Sequence, residues 1–299
     1  MFSDTHFHFR QTCANSAQGF VKDFLHEMAQ EETYFGMDVG TLADDLNERG
    51  KFFLKALDYL EEEDKSKIKK MIHFSAGIWP DLDSIKNRFA KMEILKNQIE
   101  EFKKEENPFC KKLVALGEGG LDHHWNPAGA DGRNEADFDR ETYLGEKELF
   151  HMQLDLAKEL NLPFIVHSRD AFQDTLEVLK SATSTCGIIH CYSYGIEEAR
   201  HFLDLGYYIS LSGSQTYTKK NKMEECKALI KYIPDDSLLL ETDSPYLTPV
   251  PFRGKMTNNP SLVKYTYVFV SNIKGITMTE LSSIVDKNCH SLFKLPSLP

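Results

Sequence analysis

Eight short β-rich runs, separated by longer polar stretches, repeat along the 299-residue chain. Several of these runs are nearly all apolar, which is typical of parallel strands that are buried on both faces. A parallel sheet needs a crossover element after each strand, so this spacing limits the possible folds to a few. The predicted strands are Phe2–Phe9, Thr33–Thr41, Met71–Ile78, Lys112–Gly119, Pro163–Ser168, Gly187–Cys191, Tyr207–Ser212 and Ser237–Thr242.

The stretches between these runs carry apolar residues at the spacing of amphipathic helices. Eight strands that alternate with helices predict an α/β fold, a TIM-type (β/α)8 barrel. No internal repeat or linker marks a domain boundary, so we expect residues 1–299 to form a single domain. The predicted helices are Thr41–Asp64, Asp83–Glu106, Asp139–Leu160, Ala171–Ser181, Glu197–Leu205 and Glu224–Tyr232, followed by terminal helices near Pro260–Asn272 and Thr279–Phe293.

Composition narrows the classes of function. The formal net charge of −11 argues against loose electrostatic binding to nucleic acid, although a local metal site can still bind phosphate. No apolar stretch approaches the roughly 20 residues that span a bilayer, and the segment MFSDTHFHFR lacks the features of a secretory signal. We therefore expect an intracellular, monomeric enzyme of the cytoplasm, or of the nucleus if the source is eukaryotic. The six scattered cysteines are expected to be free thiols.

Unusual polar residues occupy the carboxyl ends of the predicted strands. His6 and His8 are two residues apart on the first strand, so their side chains lie on the same side. Two buried imidazoles on one face are costly unless they share a partner, and a metal ion is the natural one. Because barrel active sites are built at this face, the whole set predicts a metal centre. The other members are Glu118, His167, His190 and Asp243, on the fourth, fifth, sixth and eighth strands.

Four imidazoles and two carboxylates exceed what one tetrahedral ion with an open position requires. The simplest interpretation is two divalent ions bridged by Glu118, one also bound by His6, His8 and Asp243, and the other by His167 and His190. Nitrogen and oxygen donors of this kind suit Zn or Mn, and Mg is compatible with the carboxylates. Such ions lower the pKa of a shared water, and Asp243 could orient that water or accept its proton.

Seven segments together resemble the signature motifs of the TatD family of metal-dependent deoxyribonucleases. The resemblance implies a TIM barrel, a divalent metal centre and phosphodiesterase action on DNA, at single-stranded or 3′ ends, with the six donors above as ligands. The segments keep the family's order from residue 3 to about residue 260: SDTHFHF, GEGGLDHHW, PFIVHSRDA, IIHCYSYG, YYISLSG, LLLETDSPYL and RGKMTNNP.

The chain departs from this pattern after the third predicted strand. Where the family usually has GxHP the chain has GIWP, and Trp79 could stack on a base or sugar instead. Gly119 stands where the family usually has a larger residue. A diester substrate also needs cations, and we expect Arg169 and Arg253 to contact phosphate. The alternatives are a salt bridge from Arg169 to Asp122 or Asp170 and an exposed loop charge at Arg253. Asp122 could itself accept a hydrogen bond from one of the ligand histidines.

Two other functions remain open. Hydrolases of amides, lactones or phosphoesters in the wider amidohydrolase-like group use a similar histidine and aspartate layout. Those binuclear enzymes generally bridge their metals with a modified lysine on the fourth strand, where this chain has Glu118. A catalytically weak binding protein is the third hypothesis, and the complete donor set argues against it.

Overall fold

Eight parallel strands form a single sheet in which each strand pairs with the next along the chain, from β1 to β8. The structure is a computed structural model that describes residues 2–15, 18–31, 33–129, 132–182 and 185–295. Helices between the strands surround this sheet, as in a (β/α)8 barrel, and the fold prediction is confirmed. The strands are β1 Asp4–Phe7, β2 Gly36–Asp38, β3 Ile72–Ala76, β4 Leu113–Asp122, β5 Phe164–Arg169, β6 Gly187–Ile189, β7 Tyr208–Leu211 and β8 Leu238–Leu240.

The sheet closes where the segment after β8 meets β1. Phe7 and Ser244 form a parallel bridge, and the amide of His8 donates to the Ser244 carbonyl at 2.8 Å. The amide of Asp243 donates to the His6 carbonyl, also at 2.8 Å. Two of the predicted metal donors are therefore joined through the backbone at the closure of the barrel.

Twelve helices lie between and after the strands in the described part of the chain. All eight predicted stretches contain helix, and six of them match one helix each with ends that differ by a few residues. No helix of the described residues is long and apolar enough to cross a membrane. The helices are α1 Phe9–Ala14, α2 Gln18–Gln30, α3 Leu46–Leu57, α4 Glu62–Met71, α5 Leu82–Lys86, α6 Arg88–Phe102, α7 Arg140–Leu160, α8 Phe172–Ser181, α9 Ile196–Asp204, α10 Met223–Tyr232, α11 Val263–Lys274 and α12 Met278–Phe293.

Two parts of the helix prediction were wrong. The stretch Thr41–Asp64 covers α3 and only the start of α4, because non-helical residues separate the two helices. The stretch Asp83–Glu106 is divided between α5 and α6 at Asn87. The sequence analysis also missed α1 and α2. Predicted residues 1 and 296–299 of the domain lie outside the described residues.

Strand β4 runs three residues beyond Gly119, where the sequence analysis ended it. In this extension Gly120 pairs with His167 of β5, and Asp122 pairs with Arg169. Gly120 has φ +146°, and a Cβ there would lie 2.0 Å from the His167 carbonyl oxygen. Only glycine permits so close an approach of the two strands. Glu118 therefore lies within β4, and the strand continues to bring Asp122 beside β5.

The end of β2 supports the segment that follows β1. Asp38 accepts a hydrogen bond from the Phe9 amide at 2.9 Å, and Arg49 of α3 donates to the same carboxylate at 2.8 Å. Both charged groups are buried, so this pairing satisfies each of them. The contact anchors α1 directly after His8.

Candidate metal centre

A cavity of about 680 Å³ opens at the carboxyl ends of the strands. Five of the six predicted donors line it, and the sixth, His6, is fully buried beneath them. Each donor reaches this place from a different part of the chain: His6 on β1, His8 directly after it, Glu118 in β4, His167 in β5, His190 directly after β6, and Asp243 three residues after β8.

Four donor atoms form the first group. The Nε2 atoms of His6 and His8 are 3.3 Å apart, and they lie 3.4 and 3.7 Å from Oε2 of Glu118. Oδ1 of Asp243 is 3.8 Å from His6 Nε2 and 3.5 Å from His8 Nε2. Donors bound tetrahedrally at about 2.0–2.1 Å are separated by about 3.4 Å. The separations among His6, His8 and Asp243 are close to this value, so these three donors could hold a first-row divalent ion, with Oε2 of Glu118 beside both imidazoles.

Three donor atoms form the second group. Oε1 of Glu118 is 2.7 Å from Nδ1 of His167 and 3.0 Å from Nε2 of His190, and these two nitrogens are 3.2 Å apart. The two oxygens of one carboxylate therefore face different sets of imidazoles. His6 stands between the groups, with its ring stacked on His190 at 4.1 Å.

Two of the four imidazoles, His8 and His167, form a hydrogen bond through the ring nitrogen that faces away from the donors, and in a third, His190, this nitrogen lies near a carboxylate. Nδ1 of His8 donates to the Val39 carbonyl at 3.2 Å, and Nε2 of His167 donates to Asp122 at 3.0 Å. Nδ1 of His190 lies 3.4 Å from Glu241. Such partners fix the ring orientation and leave the other nitrogen free for a metal.

The imidazoles and the Glu118 carboxylate alter one another's affinity for protons. Burial alone would raise the pKa of Glu118, but His190, His167 and His6 outweigh it and hold the pKa well below its usual value. Burial would likewise lower the pKa of His190, yet Glu118 and Glu241 raise it well above the usual value. Glu118 is therefore ionised inside the barrel, as a bridging metal ligand must be.

The predicted substrate-binding residues lie at different distances from these donors. Trp79 and Arg169 line the cavity; the Trp79 ring centroid is 5.7 Å from that of His167. The Arg169 guanidinium lies 3.8 Å from Asp122, the salt bridge that was the alternative at this position. Arg253 is exposed and stacks on Tyr217, with its guanidinium carbon 3.5 Å from the ring centroid.

Two side chains pack at Trp79 and Gly119, the two positions at which the sequence departs from the usual family pattern. Arg133 is buried against the indole, with its guanidinium carbon 5.4 Å from the ring centroid. Gln153 occupies the space that a side chain at position 119 would need, since a Cβ on Gly119 would lie 2.7 Å from its amide nitrogen. Gln153 in turn accepts a hydrogen bond from the Ile78 amide at 2.8 Å, which fixes the chain before Trp79.

Strand alternation predicts that the side chain of Cys191 points away from that of His190. Cys191 nevertheless lines the same cavity as His190. The reason is that β6 ends at Ile189 and Cys191 has φ +46°, so alternation no longer applies. Sequence reasoning also missed Glu241, which is fully buried and accepts from the Cys191 amide at 2.7 Å. A carboxylate directly after the apolar run LLL was the available signal for it.

Comparison with known proteins identifies the family to which the chain is similar. The model of the TatD related DNase family matches residues 3–294. The chain is 41% identical over 187 residues to the metal-dependent hydrolase YabD of Bacillus subtilis, a match that covers 62% of this chain and 67% of YabD. It is 39% identical over 185 residues to the metal-dependent hydrolase YcfH of Escherichia coli K12, a match that covers 61% of this chain and 63% of YcfH.

Solved structures share the fold over nearly the whole chain. The TatD homologue YjjV of Escherichia coli K12 is 26% identical, with a TM-score of 0.73, and the match covers 99% of this chain and 98% of YjjV. The phosphotriesterase homology protein of Escherichia coli, described with phosphate in its active site, is 13% identical with a TM-score of 0.63, over 98% of this chain and 97% of that one. At that identity the second similarity concerns the fold alone.

Proposed function

Because the chain belongs to the TatD related DNase family, we propose that it is a divalent-metal-dependent deoxyribonuclease that hydrolyses phosphodiester bonds at single-stranded or 3′ ends of DNA. The observation that carries the proposal is the position of Glu118 between two groups of donors. A bridging carboxylate favours two ions side by side, the arrangement that supports in-line displacement at phosphorus.

The charges around the donors support two ions rather than one. Four carboxylates contact the four imidazoles: Glu118, Asp122, Glu241 and Asp243. Three of them are almost fully buried, and so many like charges at one place are costly without cations. Without metal, protonated imidazoles such as His190 offset part of this charge. When the imidazoles give up their protons to bind metal, two divalent ions would balance the four carboxylates. The nitrogen-rich donor set favours Zn or Mn, and Mg remains compatible.

The chain's own residues have separate tasks in this reaction. When bound, divalent ions lower the pKa of water and neutralise phosphate charge. Asp243, partly exposed at the cavity, accepts the proton of the attacking water. Arg169 pairs with a phosphate oxygen, and Trp79 offers an aromatic face to a base or sugar. Arg253 contacts a phosphate further from the centre.

One assay tests this function against hydrolysis of amides or lactones. The purified protein is incubated with 3′-labelled single-stranded DNA, with RNA, and with a panel of amide and ester substrates. Each reaction is run with EDTA and with added Mg, Mn or Zn. We expect metal-dependent release of the DNA label, lost with EDTA and restored by one of the ions.

A His6→Ala/His8→Ala double variant tests whether the activity depends on the metal centre, because it removes two donors of the first group. Loss of both metal content and DNA cleavage in this variant supports the proposal. Cleavage of amides but not DNA by the wild-type protein would overturn the nuclease assignment. Full metal content and full activity in the double variant would overturn the donor assignment.

A further inference from the structure

An exposed aromatic ring stands at the edge of the cavity beside the first donor group. Tyr246 is 48% exposed and lines the cavity, and its ring centroid is 6.1 Å from that of His8. Its backbone is fixed on both sides: its amide donates to the Asp243 carbonyl at 2.9 Å, and its carbonyl accepts from the buried Asn258 side chain. The ring is thus presented to solvent on a rigid backbone.

A polar group lies on the same side of the cavity. Gln11, on α1, lies one helical turn after His8 and lines the cavity together with Tyr246. Its side-chain oxygen is buried and has no hydrogen-bond partner among the described residues. A buried acceptor without a partner is unfavourable unless a ligand supplies a donor. Because this oxygen is covered by protein, the Gln11 amide would have to turn toward the cavity to gain a partner, and an N–H or O–H group of a ligand bound there would supply one.

An aromatic residue also flanks the second donor group on its other side. Trp79 packs its edge against His167 much as Tyr246 does against His8. A scissile phosphate bound at the donors would have one aromatic ring on each flank. Aromatic rings bind nucleobases by stacking without regard to sequence.

We propose that the His8 side of the cavity is a nucleobase subsite, in which Tyr246 stacks on the base and Gln11 accepts a hydrogen bond from its edge. The inference rests on the proposed nuclease function and deepens it. The preferred substrate is a diester with a base on each side of the scissile phosphate, one at Tyr246 and the other at Trp79. A phosphomonoester or an abasic chain fills only part of this site.

Minimal substrates test the subsite directly. Cleavage is measured on the dithymidine phosphodiester and on two forms in which a tetrahydrofuran residue replaces one or the other nucleoside. The variants are Tyr246→Leu, which removes the ring, Tyr246→Phe, which keeps it, and Gln11→Met, which removes the acceptor at similar volume. Metal content and circular dichroism are recorded for each variant.

We expect Tyr246→Leu to raise KM for dithymidine about tenfold with little change in kcat, and Tyr246→Phe to behave like the wild type. Gln11→Met should also raise KM. The wild type should show a higher KM on both abasic substrates than on dithymidine, because each lacks one of the two stacked bases, and on one of them Tyr246→Leu should add nothing. On the other abasic substrate the variant's effect should persist.

The outcomes separate the subsite from the nuclease function. If the wild type cleaves all three substrates with the same KM, or if Tyr246→Leu acts equally on all of them, the nuclease assignment stands and the subsite is overturned. If the wild type cleaves the labelled single-stranded DNA but none of these three substrates, the nuclease assignment stands and the subsite is overturned. If it cleaves neither the strand nor these substrates with any of the three metals, the proposed function fails and the subsite fails with it.

Discussion

Asp122 lies directly behind His167, with its Oδ2 atom 3.0 Å from Nε2 of the imidazole, while Nδ1 of the same ring faces Glu118 at 2.7 Å. The carboxylate fixes the ring so that Nδ1 is the nitrogen offered to a metal. Asp122→Asn should therefore weaken metal binding in the second donor group about 10- to 100-fold and leave the first group unchanged. Stepwise titration of the metal-free protein with Co²⁺ or Zn²⁺, followed by calorimetry, measures both affinities.

Asp170→Asn is the control for this experiment. Asp170 is exposed and pairs with His124 at 2.8 Å, outside the donor set. It should leave both metal affinities at their wild-type values. Equal affinities in the wild type and the Asp122→Asn protein would remove Asp122 from the site.

Glu118→Gln keeps the shape of the side chain and removes its charge. Because the two oxygens of Glu118 face separate donor groups, the variant should lose at least one ion per chain. We expect kcat on DNA to fall by at least about 100-fold, since the bridge and its charge are lost together. Elemental analysis after dialysis gives the metal content. Glu31→Gln, at a surface pair with Lys264, is the matched control, and two tightly bound ions in Glu118→Gln would contradict the bridging role.

Arg169 and Arg253 should contribute differently to substrate binding. Arg169 lines the cavity beside the donors, whereas Arg253 stacks on Tyr217 in an exposed loop. Arg169→Ala should raise KM about tenfold even on a dinucleotide, and Arg253→Ala should raise KM only on longer strands. Both variants should keep their metal. Each lost phosphate contact should also reduce the slope of the logarithm of the DNA-binding constant against the logarithm of salt concentration by about one. An unchanged KM on long strands would remove Arg253 from the site.

The barrel and the meeting of the six donors at one face could both be predicted from the sequence, because both follow from one rule. Side chains at the carboxyl ends of consecutive parallel strands meet at one face of a barrel. Glu118 and His167 are 49 positions apart in the chain, yet this rule places them together. Strand alternation predicted that His6 and His8 face the same side, and their rings do meet, although β1 ends at Phe7 and His8 directly follows it.

The same rule failed where the backbone leaves regular strand geometry. Asp122 accepts from His167, one of the predicted ligand histidines, as the sequence suggested. A strand pattern ending at Gly119 does not indicate, however, that Gly120 allows β4 to continue and bring Asp122 beside β5. Cys191 enters the cavity through a left-handed backbone conformation. The exposed ring of Tyr246 lies in a loop, and no periodicity reports where a loop residue points.

The stability of the barrel should depend on pH through His73, on β3. This imidazole is 6% exposed, its Nδ1 donates to the Met71 carbonyl at 2.8 Å, and burial and Lys112 lower its pKa to about 3. Below about pH 6.5, His73 binds a proton in the unfolded chain but stays neutral in the folded chain. The free energy of unfolding should therefore fall by up to about 1.4 kcal/mol per pH unit down to about pH 3. His73→Phe retains a ring to stack on Phe35 but does not titrate. The free energy of unfolding of both metal-free proteins is measured in urea. At pH 7.5 the wild type should be as stable as the variant or more stable, and at pH 4.5 the variant should be the more stable protein. A difference in stability that does not change with pH would contradict a neutral, buried His73.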